Sequence, residues 1–431
     1  MSYNNRFGNG GRGGGGGYGG GRGGRGGGRI NRIQNRGPGA EVCAFYLDDR
    51  CTRAGCNHPH FVKRLGVAHG HTSAVKDVVL WEGKQQAFTC SNDGTIRLWD
   101  CATWKEIAQI PVCNVELDIR PTERDKVKKM SEGIAALHLE GSHLFVGYEE
   151  PIPQLPGCPV GKIKCWNLDN PAAPPLEFMV NDQQLSVSQV SPEMPFAHYR
   201  NVWALTVAKN PATGELIVLS GSGDGRIRYW TFDAAMGGFK CGGLMEGHSR
   251  GITRLKTVQL GGTMALISSS MDHTIRIWDL STFKCGTVLT SANEGHANVV
   301  MDLDVWVNGA EQYLISGGLD KQVIVWNLAP PFAKVFADTV DLPILSLSVA
   351  TDGQDAPLLL MGHDDGTISV KELPSFNYKM SFGKVLNNVG HTQPVRRIIP
   401  GPLHTFFTVS MDNKMMAWQV TGKAADIPVS N

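Results

Sequence analysis

The sequence predicts an all-β chain of seven repeated units, preceded by a small Cys/His-rich module and a disordered Arg/Gly-rich tail. Three observations predict this. A unit of short alternating runs, ending in an Asp and then a Trp, recurs along most of the chain. Three Cys and one His fall within eighteen residues ahead of the first unit. Before them, the first 39 residues include 18 Gly.

The tail, residues 1–39, holds seven of the 41 basic residues and none of the 40 acidic ones, so the remainder carries a net charge of −6. It has almost no apolar surface to offset the entropy cost of ordering its backbone, and we expect it to be disordered. Arg12, Arg22 and Arg25 each begin an Arg-Gly-Gly step. Arg pairs with phosphates and stacks on bases, which favours RNA contact over a plain flexible linker.

The ten Cys do not have the spacing of a disulfide framework, and a chain of 431 residues needs no disulfide staples. No apolar h-region begins the sequence, and no run of eighteen apolar residues occurs in it. We therefore expect a protein of a reducing compartment with no membrane partner.

The Cys/His cluster consists of Cys43, Cys51, Cys56 and His60, with the spacing C-x7-C-x4-C-x3-H. Three thiolates and one imidazole complete the tetrahedral shell of Zn²⁺ with no open position, so the pattern predicts one structural zinc ion. Because the segment is too short for a core of its own, metal binding is expected to drive its folding. His58 is a competing fourth ligand, and a chance cluster of reduced Cys is the alternative interpretation.

This spacing resembles the CCCH zinc-finger family over about residues 41–62, and the resemblance favours His60 over His58 as ligand. It implies binding of single-stranded RNA, with DNA as an open alternative. In that family, aromatic side chains near the ligands stack between bases, and Tyr46 matches the first such position.

The second and third stacking positions hold Arg53 and His58, which can also stack on bases. Phe45 and Phe61 either join this stacking or pack over the metal. The predicted nucleic-acid contacts of the module are therefore Tyr46, Arg53, His58 and Phe61.

The repeats are marked by their terminal Trp residues, and Trp230, Trp278 and Trp326 are 48 residues apart. Trp418 follows 92 residues later, which leaves room for one degenerate repeat around Asp365. With the repeats that end at Trp99 and Trp166, the count is seven. Alternating apolar and polar runs, separated by Asp-Gly-type turns, predict antiparallel strands and hairpins.

The repeats resemble the WD-repeat family, in which each unit forms one four-stranded blade around a central channel. The resemblance covers roughly residues 61–420. It implies a seven-bladed β-propeller, which we assign to 63–420, leaving 421–431 as a C-terminal tail.

In that family a His, a Ser or Thr, an Asp and a Trp form a buried hydrogen-bond chain inside each blade. Five units match: His71, Thr89, Asp93 and Trp99; His198, Ser220, Asp224 and Trp230; His248, Ser268, Asp272 and Trp278; His296, Ser316, Asp320 and Trp326; His391, Thr408, Asp412 and Trp418. A hydrolase triad also combines Ser, His and Asp, but five copies at fixed spacing indicate blade stabilisation. We predict no catalytic residue and no enzymatic activity.

Two units depart from the pattern and are expected to be less tightly specified. The second lacks the Asp and carries a Pro-rich insertion at 150–158, and the sixth has Met361 for Ser and Lys371 for Trp. The segment 61–67 lies where the outer strand of a preceding blade belongs. We predict that it completes the seventh blade and holds the Cys/His module near the outer rim.

One such module followed by seven repeats resembles the plant zinc-finger/WD-repeat (ZFWD) family. The resemblance implies nucleic-acid binding by the zinc module, protein partners on the propeller, and a location in the nucleus or shuttling between nucleus and cytoplasm. A DNA- or chromatin-associated regulator is one alternative. A ubiquitin-ligase substrate receptor is another, although Trp99-Asp100 is followed by Cys-Ala and not by the x-Arg often found in such receptors.

Overall fold

The computed structural model describes residues 42–53, 56, 58, 60–113, 133–151, 159–180, 196–211 and 213–422. Arg12, Arg22 and Arg25 of the tail lie outside these residues, as do residues 152–158 of the Pro-rich insertion and 423–431 of the C-terminal tail. None of the described helices has the length or the apolar character that a membrane span requires.

Besides two short 3-10 helices at Glu82–Lys84 and Ser291–Asn293, the described residues form two single-turn α-helices and 28 strands. In chain order these are α1 (Ala44–Leu47), β1 (Val62–His69), β2 (Val75–Trp81), β3 (Gln86–Ser91), β4 (Thr95–Asp100), β5 (Glu106–Pro111), β6 (Ile134–Glu140), β7 (His143–Glu150), β8 (Val160–Asn167), β9 (Leu176–Met179), β10 (Val202–Lys209), β11 (Leu216–Ser222), β12 (Ile227–Asp233), β13 (Gly238–Met245), β14 (Ile252–Leu260), β15 (Thr263–Ser270), β16 (Ile275–Asp279), β17 (Lys284–Leu289), β18 (Val300–Asn308), β19 (Glu311–Gly318), β20 (Gln322–Asn327), β21 (Lys334–Thr339), β22 (Ile344–Thr351), β23 (Pro357–His363), β24 (Ile368–Glu372), β25 (Tyr378–Phe382), α2 (Lys384–Asn387), β26 (Val395–Gly401), β27 (Thr405–Ser410) and β28 (Lys414–Val420).

These strands form five four-stranded sheets and one eight-stranded sheet. Within the eight-stranded sheet, β6–β9 and β10–β13 are joined by a short parallel pairing of β9 with β13, in which Phe178 lies opposite Phe239. The first strands β2, β6, β10, β14, β18, β22 and β26 contact one another in succession, and β26 contacts β2. The predicted all-β propeller is confirmed.

Burial follows the position of a strand in its sheet. The second strand of a unit is packed on both faces, so β11 and β15 read as continuous apolar runs such as Leu216–Leu219. The fourth strand β5 is almost entirely exposed. Short apolar runs in the sequence therefore mark strands that lie inside the wall of the propeller.

The predicted closure of the ring is confirmed by the pairing of β1 with β28. The two strands are antiparallel, with Val62 opposite Val420 and His69 opposite Lys414. The sheet has the order β1-β28-β27-β26, so the segment that follows the Cys/His cluster supplies the edge strand of the last sheet.

The five predicted hydrogen-bond chains are all present. In the first, Trp99 Nε1 lies 2.7 Å from Thr89 Oγ1, His71 Nε2 lies 2.8 Å from that oxygen, and His71 Nδ1 lies 2.8 Å from Asp93 Oδ2. The corresponding contacts join the members of the other four sets. An ionised Asp only accepts hydrogen bonds, so the imidazole donates to it from Nδ1. In that tautomer Nε2 accepts from the hydroxyl, and the hydroxyl oxygen accepts the indole N–H.

The sixth unit replaces this chain with other polar contacts. His363 Nδ1 donates to the carbonyl of Pro343 at 3.0 Å, and Nε2 accepts from Ser369 Oγ at 2.9 Å. Lys371, which stands where Trp is expected, is buried and donates from Nζ to Asp338 and to the carbonyl of Phe376. His363 and Lys371 are thus satisfied by partners that the repeat pattern does not specify.

Candidate metal centre

Cys43, Cys51, Cys56 and His60 bring their ligand atoms within 4.8 Å of one another. Cys43 is the residue just before α1, and its carbonyl accepts the first backbone hydrogen bonds of that turn. The Sγ atoms of Cys43 and Cys56 are 3.7 Å apart. A tetrahedral site with Zn–S bonds of about 2.3 Å has ligand–ligand edges of about 3.8 Å, so this spacing fits zinc.

The environment of His60 supports the same assignment. Its Nε2 atom is buried and has no hydrogen-bond partner among the described residues. A buried polar nitrogen of this kind is costly unless a partner satisfies it, and a metal ion is such a partner. Tyr46 stacks on the imidazole with the ring centroids 4.0 Å apart and an angle of 7° between the planes, which fixes the orientation of the ring.

The competing ligand His58 lies outside the cluster, and its side chain is exposed. Its backbone N–H instead donates a hydrogen bond to Cys56, which lowers the pKa of that thiol. Burial raises the pKa of the Cys43 thiol. Zinc binds thiolates, so the hydrogen bond to Cys56 stabilises the form of the ligand that the metal requires.

The Cys/His module is docked on the last two sheets of the propeller. Val42, Leu47 and Phe61 are buried in one apolar cluster with Phe382 and Trp418. The hydroxyl of Tyr46 is 2.7 Å from Thr421 Oγ1. Asp48 forms an ion pair with Arg64 on β1. The module therefore shares its core with the propeller.

The predicted nucleic-acid contacts of the module differ in exposure. Arg53 and His58 are exposed, and Tyr46 is partly buried with one face covered by His60. The prediction that Phe61 contacts nucleic acid is wrong. Only 3% of this residue is exposed, so its ring offers no face to a base. Its ring packs in the core that the module shares with the propeller, with Lys379 Nζ 5.0 Å from the ring centroid.

Phe45 is the exposed aromatic side chain of the module, with 63% of its surface accessible. The sequence analysis left open whether Phe45 stacks on bases or packs over the metal. It did not include Phe45 among the predicted nucleic-acid contacts. Its position on α1, two residues before the buried Leu47, puts it on the opposite side of the turn. Side chains two residues apart lie on opposite sides of a helical turn, so this spacing in the sequence distinguishes an exposed stacking residue, Phe45, from a buried packing residue, Leu47.

Known proteins that are similar to this chain include WD-repeat and CCCH zinc-finger proteins. The WD40 family (WD domain, G-beta repeat) matches residues 62–100, 191–231, 239–279 and 284–327. Zinc finger CCCH domain-containing protein 17 of Oryza sativa subsp. japonica is 28% identical over 384 residues, which cover 88% of this chain and 72% of that protein.

Two Arabidopsis thaliana proteins are similar over shorter stretches. Zinc finger CCCH domain-containing protein 63 is 26% identical over 46% of this chain and 34% of its own length. Protein 48 of the same name series is 25% identical over 48% of this chain and 38% of its own length. The WD40 repeats, the Cys₃His cluster and these plant relatives are together consistent with the zinc-finger/WD-repeat family.

Proposed function

We propose that the chain is a zinc-dependent nucleic-acid-binding adaptor, with RNA as the favoured ligand, whose propeller recruits protein partners. The observation that carries this proposal is the Cys₃His cluster on the outer edge of the last sheet, next to an exposed aromatic ring and two exposed cationic or imidazole side chains. The names of the plant relatives, and the presence of WD40 repeats, support the two halves of the assignment.

The four ligands would hold one zinc ion, which supplies a structural crosslink between Cys43, the segment of Cys51 and Cys56, and His60. Propeller contacts hold the module from the other side, so its exposed face is presented rigidly. Phe45 would stack on an unpaired base, while Arg53 would pair with phosphate or stack on a second base. Arg12, Arg22 and Arg25 of the tail would add salt-sensitive contacts of low sequence selectivity.

The propeller itself is proposed to have seven blades. The eight-stranded sheet then represents two consecutive blades that are joined at their outer edges by β9 and β13. Each of the seven first strands contacts the next, and the last contacts the first, which supports this count. We further propose that the chain has no enzymatic activity and is located in the nucleus, with passage to the cytoplasm.

The test is binding of the purified, zinc-loaded full chain to single-stranded RNA, single-stranded DNA and duplex DNA of one mixed sequence at low ionic strength. Cys56→Ser removes a ligand, and Cys101→Ser, which changes a partly buried thiol outside the cluster, is the matched control. We expect Cys56→Ser to lose bound zinc and to weaken RNA binding about tenfold or more, in line with the loss of one stacked base. Cys101→Ser should match the wild type.

A deletion of residues 1–39 separates the tail from the module. RNA binding that survives Cys56→Ser unchanged but disappears with the deletion would contradict the role of the module. Tighter binding of duplex DNA than of RNA would support a DNA-associated regulator in its place.

A further inference from the structure

Four units carry an aromatic residue in the turn between their third and fourth strands. These residues are Trp104, Phe283, Phe332 and Phe376, and each has a positive φ between 56° and 60°. Each ring packs in an apolar cluster together with residues of the preceding unit, which for Trp104 is the last one. The four rings therefore mark equivalent places at four interfaces between units.

At three of these interfaces, the space beside the ring is filled. Phe283 stacks on Tyr229 of the third unit, with ring centroids 3.8 Å apart. Phe376 stacks on Phe336 of the fifth unit, with centroids 4.3 Å apart. Trp104 lies directly on Gly66 of β1, where an added Cβ would be 2.2 Å from Trp104 Cδ1.

The interface between the fourth and fifth units differs, because no other ring contacts Phe332 in the part of the chain that the structure describes. The fourth unit has Ile277 just before its Trp, where the third unit has Tyr229. Gly286 and Gly242 are the extra residues of equivalent bulges in β17 and β13. A Cβ on Gly242 would lie 2.3 Å from the ring of Tyr229, whereas the nearest atom to a Cβ on Gly286 is 3.8 Å away.

This interface contains a cavity of 640 Å³, which we call the open slot. Leu260 and Trp278 of the fourth unit contribute to one wall, and Leu328, Pro330 and Phe332 of the fifth unit contribute to the other. The volume and the apolar walls are those of a ligand pocket.

The charged residues that line the open slot are both acidic. They are Asp279 and Glu311, and no Lys, Arg or His is among the described residues that line it. Asp279 accepts hydrogen bonds from Ser281, and Glu311 accepts one from Tyr313, so these partners are neutral. Lys284 lies opposite Asp279 in the sheet, but no ion pair joins these two described residues. The slot therefore favours a cationic ligand and disfavours a phosphate group.

We propose that the open slot binds a segment of a partner protein that places an aromatic side chain against Phe332 and a Lys or Arg side chain near Asp279 and Glu311. The rings at the equivalent interfaces define the shape of this occupant, and the two carboxylates define its charge. The proposal rests on the recruiting role given to the propeller above, and it names a surface and a ligand class for that role.

The test starts with selection of a random peptide library on the zinc-loaded full chain, with counter-selection on Gly286→Phe. The new ring should fill the slot, and the space around the Gly286 Cβ position lets the variant fold. We expect the enriched peptides to share a Phe, Tyr or Trp with Lys or Arg close by. A synthetic peptide of that consensus should lose about tenfold or more in affinity for Gly286→Phe and for Phe332→Ala, as loss of an anchor contact does.

Ile107→Phe is the matched control, because it places the same ring at the extra residue of the equivalent bulge in β5. Ile107 is exposed, and this variant should bind the peptide as the wild type does. The melting temperature, zinc content and RNA affinity of each variant should equal those of the wild type, which separates the slot from the zinc module.

The charge requirement is tested with Glu311→Lys, which should weaken binding of the cationic peptide, and more so at low salt than at high salt. Glu215→Lys is the matched control. Both Glu residues are exposed, lie at the hairpin between the first two strands of a unit, and accept a hydrogen bond from a nearby hydroxyl, that of Tyr313 or Thr213. Glu215→Lys should leave peptide affinity unchanged.

Equal enrichment of the same peptides on the wild type and Gly286→Phe would overturn the open slot but leave the recruiting role to another surface. Enrichment of no peptide on the wild type would contradict both. A consensus that lacks an aromatic or a basic residue would also overturn the proposal. Loss of RNA affinity with Gly286→Phe would assign the slot to nucleic acid, and a wild-type dimer that this variant dissociates would assign it to a second copy of the chain.

Discussion

In each regular blade, four side chains form a hydrogen-bond chain in which every donor points toward the Asp. In the third set, Trp278 donates to Ser268, Ser268 to His248, and His248 to Asp272. Asp272 also accepts the backbone N–H of Ser249 and so ties the loop before the blade to the turn inside it. Every donor in such a chain is used. The loss of one side chain therefore leaves the next one without its buried hydrogen-bond partner.

Replacement of Asp272 tests this directly. Asp272→Ala should lower the free energy of unfolding by about 1–3 kcal/mol, because His248 Nδ1–H and the N–H of Ser249 lose a buried acceptor. Urea unfolding monitored by tryptophan fluorescence gives the value. Asp341→Ala at an exposed position is the matched control, and equal unfolding midpoints for Asp272→Ala and that control would refute the role.

Burial of His138 links stability to pH. Burial, with a smaller effect from the charge of Arg397, lowers the pKa of His138 to about 4. In the unfolded chain the pKa is about 6.5. Between these values the unfolded chain holds a proton that the folded chain lacks, so the free energy of unfolding falls as the pH falls.

His138→Gln should remove this contribution. The pH slope of the free energy of unfolding should be shallower in the variant than in the wild type by up to about 1.4 kcal/mol per pH unit, within pH 6.5 to 4. Above pH 7 the two curves should run parallel, which is the internal control. Identical slopes below pH 6 would contradict the assignment.

At the scale of elements, α1 and β1 act together as the contact between the zinc module and the propeller. Leu47, at the end of α1, is completely buried, while Phe45, in the same turn, is largely exposed. One helical turn therefore carries a packing residue on one face and a candidate binding residue on the other. The two roles are separable by substitution.

Leu47→Ala should cost about 2–5 kcal/mol of stability, since it removes a buried side chain from the shared core. Phe45→Ala should leave the melting temperature nearly unchanged but weaken RNA binding about tenfold or more, the value of one stacked base. Each variant is the control for the other in thermal unfolding and RNA titration. A stability loss with Phe45→Ala equal to that of Leu47→Ala would contradict the division of roles.

The sequence predicted those features that depend on short, fixed spacings. The ligand set has one short spacing, and in all five hydrogen-bond chains the Ser or Thr lies four residues before the Asp and the Trp six residues after it. The ring closure follows from an apolar segment just before the first unit. The burial of Phe61 and the stacking of Tyr46 on His60 were not predictable in this way. Phe61 is buried against strands that lie more than three hundred residues later, and the hydroxyl of Tyr46 contacts Thr421 at a similar separation.

A β-bulge lies at the start of each of the seven first strands, where the pairing with the second strand shifts between the first and third residues. The sequence analysis did not predict these bulges, although their signal is present in the sequence. In all five regular units the extra residue of the bulge lies five positions after the His of the hydrogen-bond chain, as Lys76 follows His71. The side chains at this offset differ from unit to unit, which hides the pattern. Their shared position emerges only when the seven strands are arranged around one channel.

At the scale of the whole molecule, ion pairs cross the channel and join distant units. Asp302 on β18 is completely buried and lies 2.7 Å from Arg254 Nε and 3.3 Å from Arg397 Nη1. Arg397 Nε in turn lies 3.4 Å from Asp77 on β2. Burial alone would lower the pKa of Arg397, but Asp302 and Asp77 outweigh it and raise the pKa. Four units are thus connected through two carboxylates and two guanidinium groups.

Asp302→Ala should destabilise the protein by about 3–5 kcal/mol, because it removes the buried carboxylate partner of Arg254 and leaves Arg397 with Asp77 alone. The matched control is Asp233→Ala, which breaks a surface pair with Lys240 and should cost less than about 1 kcal/mol. Chemical unfolding of both variants measures the difference. A cost for Asp302→Ala as small as that of the control would show that the channel pairs contribute little.

The pairing of β1 with β28 has a consequence during protein synthesis. β1 leaves the ribosome early, but its partner strand is made about 350 residues later, after roughly 20–70 s of elongation. For that interval an open strand edge and the apolar side chains of Val42, Leu47 and Phe61 are without their cover. Newly made chains should therefore depend on chaperones until the final strand emerges and the ring can shut.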